Sequence, residues 1–187
     1  MPSLEINPLG LEGVFEIRPL RHQDYRGFFS EVWREDLLAE AGITTRFVQD
    51  NHSFSRARGV LRGLHYQLEP FAQAKLVRVT RGSIFDVAVD IRRTSPTFRM
   101  WVSLVVSATE WNQILIPEGF AHGFVTLEPD CEVLYKTSAK YVPAFDRAIR
   151  FDDPEIAIDW PIETEALVVS EKDRNAPFLR ETRDPGR

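Results

Sequence analysis

One cysteine, Cys131, is all the thiol that 187 residues carry. It cannot close an internal disulfide, and a lone Cys suits a reducing compartment. No apolar run approaches the roughly 18 residues that a membrane-spanning helix needs. The opening MPSLEINPLG lacks both the basic n-region and the apolar core of a secretory signal, so the expectation is a cytoplasmic protein with no membrane partner. An excess of positive charge is also missing. Twenty-three Lys and Arg against 28 Asp and Glu leave a net charge of −5, which argues against a nucleic-acid partner. There is no repeat, low-complexity tract or Gly/Ser linker. With 43% hydrophobic and 27% charged residues, the chain reads as one globular domain over 1–187.

What is present is mostly short strands. GVFEIRPL (13–20) and TRFVQDNHSFS (45–55) carry β-branched and aromatic residues and stop at turn-formers. Between them REDLLAEAG (34–42) predicts a helix, with acids in its first turn and Gly42 at the C′ position. From 59 to about 137 short strands follow one another, punctuated by SPT, PEGF and EPD. In SIFDVAVDI (83–91), Phe85, Val87, Val89 and Ile91 share one face, and Ile84, Asp86, Ala88 and Asp90 share the other. Further strands are expected at MWVSLVVS (100–107), QILIP (113–117) and CEVLYKTS (131–138). This spacing indicates a sandwich or barrel. The C-terminal part, with DDPEIAIDWP (152–161) and SEKDRNAPFL (170–179), reads as loops and a short helix packed outside.

Two stretches raise the question of chemistry. GVLRGLHYQ (59–67) sets Arg62, His65 and Tyr66 in a strand, and IPEGFAHGF (116–124) leads to His122. Residues 54–81 hold Arg56, Arg58, Arg62, Lys75, Arg78 and Arg81 against Glu69 alone, either a solvated strand face or an anion site. The two histidines stand in a frame like that of metal-binding double-stranded β-helix proteins, the cupins. Gly59 lies six before His65, and PEGFAH (117–122) matches their second motif. Their ligands are missing: Gln67 stands where a second His would, and Phe71 and Ala72 occupy the place of a Glu. Two histidines alone make a poor divalent site, so no metal is expected and the histidines are left for proton chemistry or structure.

The motifs YRGFFSE (25–31), FVQDNHS (47–53), GVLRGLHYQ (59–67), QAKLVRV (73–79), VDIRRTSPTF (89–98), IPEGFAHGF (116–124), LYKTSAKYVP (134–143) and SEKDRNAP (170–177) occur in this order. Together they resemble the dTDP-4-dehydrorhamnose 3,5-epimerase family, cupins that work without a metal. The resemblance covers nearly the whole chain; EVWREDLLAE (31–40) and the tail after Phe178 fit it least.

The resemblance implies an all-β, cupin-type jelly-roll barrel with short peripheral helices, pairing into a homodimer, and no cofactor. The implied substrate is a dTDP-4-keto-6-deoxyhexose, on the way to dTDP-L-rhamnose for carbohydrates such as lipopolysaccharide. Hydrogens on C3 and C5 of such a sugar lie α to the C4 ketone, so a base can remove them if the enolate is stabilised. By resemblance His65 is the base, Asp173 orients it, Tyr135 is the acid on the other face, and Lys75 sits beside the keto oxygen. Arg26, Glu31, Gln49, Asn51, Arg62, His122, Asp146 and Lys172 fall on substrate-holding positions, although a longer acid than Asp146 is expected there. Strict alternation puts Arg62 and His65 on opposite faces, so if both face the cavity, as the resemblance implies, a bulge or twist must intervene, with Gly63 its natural place. Three rivals remain: a single-centre epimerase of a related sugar, a non-catalytic nucleotide-sugar binder, and a metal-dependent oxygenase, which Gln67 disfavours.

Overall fold

The computed structural model describes residues 4–182; residues 1–3 and 183–187 of the expected domain lie outside the described residues. In chain order the elements are β1 (Leu4–Pro8), β2 (Phe15–Pro19), β3 (His22–Asp24), β4 (Gly27–Phe29), α1 (Glu35–Glu40), β5 (Gln49–Ser55), β6 (Val60–Gln67) and β7 (Lys75–Arg81). Then come β8 (Ser83–Asp90), β9 (Trp101–Ser107), β10 (Gln113–Ile116), β11 (Phe120–Thr126), β12 (Cys131–Thr137), β13 (Asp146–Ala148), β14 (Val168–Val169) and α2 (Glu171–Arg174). One sheet has the order β1-β2-β10-β7-β12-β5 and the other β13-β6-β11-β8-β9, with β14 parallel to β6; β3 and β4 form a separate hairpin. This is the expected all-β, cupin-like architecture with short helices at its edge. Among the described residues no helix is long and apolar enough to cross a membrane.

Alternation decides what fills the space between the sheets. Val77, Val79, Ile114, Ile116 and Val133 of the first sheet pack there against Ile84, Ala88, Val106, Phe120 and Phe124 of the second. The outer face of the second sheet, with Leu64, Val87, Val89 and Ile91, is covered by Ile149, Ile156 and Leu179 from the C-terminal part. Leu38 of α1 and Ile43 cover Ile17, Leu76 and Leu115 on the other outer face. Both faces of β8 are therefore largely buried, the set that carries Asp86 and Asp90 as well as the apolar one. The helix expected over 34–42 forms over Glu35–Glu40, and Gly42 takes φ 83° just beyond it. The pieces with no expectation, β1, β3, β4, β13 and β14, are short, and β3 and β4 are exposed throughout, so they carry no periodicity to read.

The bulge expected at Gly63 is present. His122 of β11 pairs with His65, while Phe124, two residues on, pairs with Arg62, three residues back, so β6 carries one extra residue. Outward positions change parity across it, from Leu61 to Leu64 and Tyr66, and Arg62 and His65 come to share the inner face. Gly63 has φ 124°, and a Cβ there would stand 2.6 Å from Gly123 Cα and 2.7 Å from the His122 carbonyl oxygen. Both obstacles are backbone atoms that cannot swing aside. Gly63→Ala is therefore expected to destabilise the protein by about 2–4 kcal/mol, combining backbone strain with a core clash. A urea midpoint equal to wild type would show that the bulge tolerates a side chain.

Candidate active site

A cavity of about 570 Å³ opens between the sheets at the end where the apolar interior stops. Lys75 precedes Val77 and Val79 on the inner face of β7, and Tyr135 follows Val133 on β12, its ring packed partly against the apolar core. From the opposite sheet, β6 contributes Arg62 and His65, and β11 contributes His122 between Phe120 and Phe124. Asp146, Lys172 and Asp173 close the mouth from the C-terminal part.

His65 Nε2 lies 2.6 Å from Asp173 Oδ1. Asp173 does not stay outside with the loops around it. Ser170 caps α2 by accepting the Asp173 N–H at 3.1 Å, and this turn carries the carboxylate inward, where the Gly63 N–H also reaches Oδ2 at 3.4 Å. Burial pushes the Asp173 carboxyl up, but the His65 hydrogen bond and charge, with help from Gly63 and Ser170, outweigh it and hold the group below its ordinary value. An ionised Asp173 can only accept, so the His65 nitrogen facing it carries the proton. That leaves the other ring nitrogen as the one able to exchange a proton with a bound molecule.

A second carboxylate–imidazole pair stands beside the first. His122 is directly opposite His65 in the β6–β11 ladder, and its Nε2 lies 3.0 and 2.9 Å from the two oxygens of Asp86. Both residues are buried. Burial, aided by the charges of Lys75 and His65, lowers the His122 pKa below the ordinary value despite Asp86, so the ring is neutral at neutral pH. Asp86 is the main residue that the sequence reading left without a role. Its signal was an acid inside an apolar strand, on the inner-facing set with Ile84 and Ala88.

Lys75 is buried, with Nζ donating to the His65 carbonyl oxygen at 3.2 Å. Burial pushes its pKa down to about 8, against the pull of Asp86 and Asp146. The ammonium is thus retained at neutral pH but lost within ordinary alkaline range. Tyr135 moves the other way: burial raises the phenol, Asp146 adds to the rise, and Arg62 opposes it. It is a neutral hydroxyl, able to give a proton rather than a phenolate waiting for one.

Of the residues expected at the site, His65, Tyr135, Asp173, Lys75, Arg62, His122, Asp146 and Lys172 converge on this one cavity. Asp146 Oδ2 accepts from Lys172 Nζ at 2.5 Å and from the Tyr141 hydroxyl at 3.3 Å, so the shorter acid is engaged with a cation and a phenol at the mouth. Four others do not line the cavity. Arg26 pairs with Asp24 on the exposed β3–β4 hairpin, and Glu31 pairs with Arg34. Gln49 donates to Asn51 Oδ1 at 2.8 Å, and Asn51 Nδ2 reaches the Tyr135 carbonyl oxygen at 3.4 Å, on the edge strand β5 whose Ser53 does line the cavity. The basic cluster also divides. Arg62 and Lys75 face the cavity, Arg78 shares the outer parity with Leu76, and Arg56, Arg58 and Arg81 are exposed away from it.

The cupin metal frame holds other bonds here. Gln67 Nε2 donates to the carbonyls of Phe71 at 2.8 Å and Lys140 at 3.1 Å, and its Oε1 accepts from Val142 N at 2.7 Å. His65 and His122 each face a carboxylate. Among the described residues no three His, Cys, Asp or Glu side chains form a metal-holding group.

A sequence profile of the family described as dTDP-4-dehydrorhamnose 3,5-epimerase matches residues 8–181. A protein of that name from Methanothermobacter thermautotrophicus is 51% identical over 172 residues, 91% of this chain and 92% of its own. A dTDP-4-dehydrorhamnose 3-epimerase from Streptomyces niveus is 40% identical, over 98% of this chain and 87% of its own. Among solved structures, the dTDP-6-deoxy-D-glucose-3,5-epimerase of Legionella pneumophila in complex with dTDP-4-keto-L-rhamnose superposes with a TM-score of 0.90 at 44% identity, covering 95% of this chain and 94% of that one.

Proposed function

Because the chain belongs to the dTDP-4-dehydrorhamnose 3,5-epimerase family, we propose that its cavity converts dTDP-4-dehydro-6-deoxy-D-glucose to dTDP-4-dehydro-L-rhamnose through His65 and Tyr135. The protein is an isomerase. One observation carries the assignment of residues: the base candidate stands on β6 of one sheet and the acid candidate on β12 of the other, across the same cavity. A sugar ring lying between the sheets presents opposite faces to them.

In this mechanism the lone-pair nitrogen of His65 takes the proton from C3, and in a second round from C5, while Asp173 steadies the resulting imidazolium. The electron pair moves into the C4 carbonyl, and the Lys75 ammonium stabilises the enolate oxygen. Tyr135 returns a proton to the other face of the carbon; before the second round His65 releases its proton to solvent and Tyr135 takes one up. Protons leave and return in equal number, so the step is redox-neutral. Arg62 and Lys172, with Asp146 holding the latter, supply positive charge for the diphosphate. The Tyr141 ring, exposed at the mouth, offers a stacking face to the nucleotide base.

Arg26 and Glu31 join this site only if a second copy brings them. Phe28 seats the hairpin on Trp111 of its own chain, while Tyr25, 97% exposed, and Phe29, 67% exposed, point away from it, which suits a homodimer whose hairpin reaches the partner's cavity mouth. The product would serve dTDP-L-rhamnose synthesis in the cytoplasm.

The test is incubation of substrate in D₂O, with deuterium at C3 and C5 read by NMR across a pH series. Both carbons should exchange and invert. The rate should fall above pH about 8, because Lys75 is charged below that value and neutral above it. Exchange and inversion confined to one carbon would sink double epimerisation in favour of the single-centre reading. A profile flat to pH 10 would remove Lys75 from enolate stabilisation.

A further inference from the structure

The loop after β12 has no ladder partners of its own, yet four successive residues in it have a backbone group bound by a glutamine side chain. Gln73 Nε2 donates to the Ala139 carbonyl at 2.8 Å, and Gln67 Nε2 donates to the Lys140 carbonyl at 3.1 Å. Gln49 Oε1 accepts the Tyr141 N–H at 2.9 Å, and Gln67 Oε1 accepts the Val142 N–H at 2.7 Å. The glutamines come from β5, from the end of β6 and from the segment just before β7, so three separate parts of the barrel grip one short loop. Gln67 is only 6% exposed and uses both ends of its amide, bridging this loop to Phe71 as well. At the far end of the Tyr141 side chain, the hydroxyl donates to Asp146. Tyr141 is thus fixed at its backbone and at its ring tip, while the residue remains 52% exposed.

We propose that Gln67, together with Gln73 and Gln49, is a positioning residue for nucleotide binding: the three amides hold the 139–142 loop so that the Tyr141 ring is a pre-set platform at the cavity mouth. The proposal rests on the nucleotide-sugar reading. Its physical basis is ordering cost. A loop with its backbone groups bound only by water would have to be immobilised each time a ligand stacks on it; here that ordering is complete before binding. Gln67 therefore occupies the position of a cupin metal ligand but works as a bracket, acting through Tyr141 and not on the reacting carbons.

The experiment uses two variants and a double-mutant background. Gln67→Glu keeps the shape but turns a carboxylate oxygen toward the Phe71 and Lys140 carbonyls; Gln73→Met removes a single bond at a half-buried site and is the milder change. Calorimetry with dTDP, steady-state kinetics and amide hydrogen exchange are measured on each, alone and combined with Tyr141→Ala. Each single change should raise Kd for dTDP and KM about three- to tenfold, leave kcat within about twofold, and speed exchange of the Tyr141 and Val142 amides. In the Tyr141→Ala background the glutamine changes should add little, because they act through the ring that is gone. Unchanged Kd and amide exchange in folded Gln73→Met, or an equal loss with and without Tyr141, would overturn the clamp. If Gln67→Glu does not fold, Gln73→Met carries the same test. A wild-type protein that fails to bind dTDP would instead overturn the nucleotide reading, and the clamp would then stand or fall on the amide exchange.

Discussion

His65→Ala should stop deuterium uptake at both C3 and C5 while dTDP still binds and the urea midpoint stays near that of wild type. The cavity holds two histidines side by side, and the geometry separates their roles. His65 is partly exposed to the cavity, with its side chain 33% accessible, and is backed by an ionised Asp173. His122 is buried and turned onto both oxygens of Asp86. Removing a general base typically costs about 10²–10⁴-fold, and the upper end is expected where no other side chain can take the proton. His122 is poorly suited to substitute, since burial already lowers its affinity for a proton. Exchange at both carbons at near wild-type rate in His65→Ala would transfer the base to another group. Exchange surviving at one carbon alone would mean that two bases divide the work.

Tyr135→Phe should lose inversion and keep exchange. The phenol is the neutral hydroxyl on the first sheet's side of the cavity, held protonated by burial, and the change deletes one oxygen from a ring that packs on the core. His65 remains able to remove a proton and to return a deuteron to the face it came from. Deuterium should therefore enter without change of configuration, most plainly at C5, with formation of the doubly inverted sugar down by about 10²–10⁴-fold. Uptake and product stereochemistry must be read in the same sample. Doubly inverted product at the wild-type rate would reduce Tyr135 to a packing aromatic.

Much of the site is legible in the sequence, through two different signals. The bottom-up signal is alternation: it sorts β8 into two faces, and it puts Arg62 and His65 on opposite faces of a regular strand, which an irregularity must reconcile with the shared site that the resemblance implies. Gly63 is the natural place for it, and the register shift against β11 falls there. The other signal is resemblance, which assigned roles to Asp173, Tyr135 and Lys75 that composition and period could not. By pattern alone Asp173 is a solvated acid and Tyr135 a core aromatic.

The sequence by itself determined the all-β class, the strand faces and the helix before Gly42, because each of these follows from local periodicity and backbone preference. Tertiary structure alone decided which faces meet. Asp86 becomes the partner of His122 only because β8 and β11 are neighbours, a pairing across 36 positions of chain. Parity alone puts Lys75 and Arg78 on opposite faces of β7, but only the packing of the sheets makes the Lys75 face the one that lines the cavity. The same packing also gave the three glutamines a common loop to hold, although they lie on different elements and share no motif. Charge and period are properties of neighbours along the chain. A site is made by neighbours across it, and their distances are set by sheet order and register, which no single stretch of sequence contains.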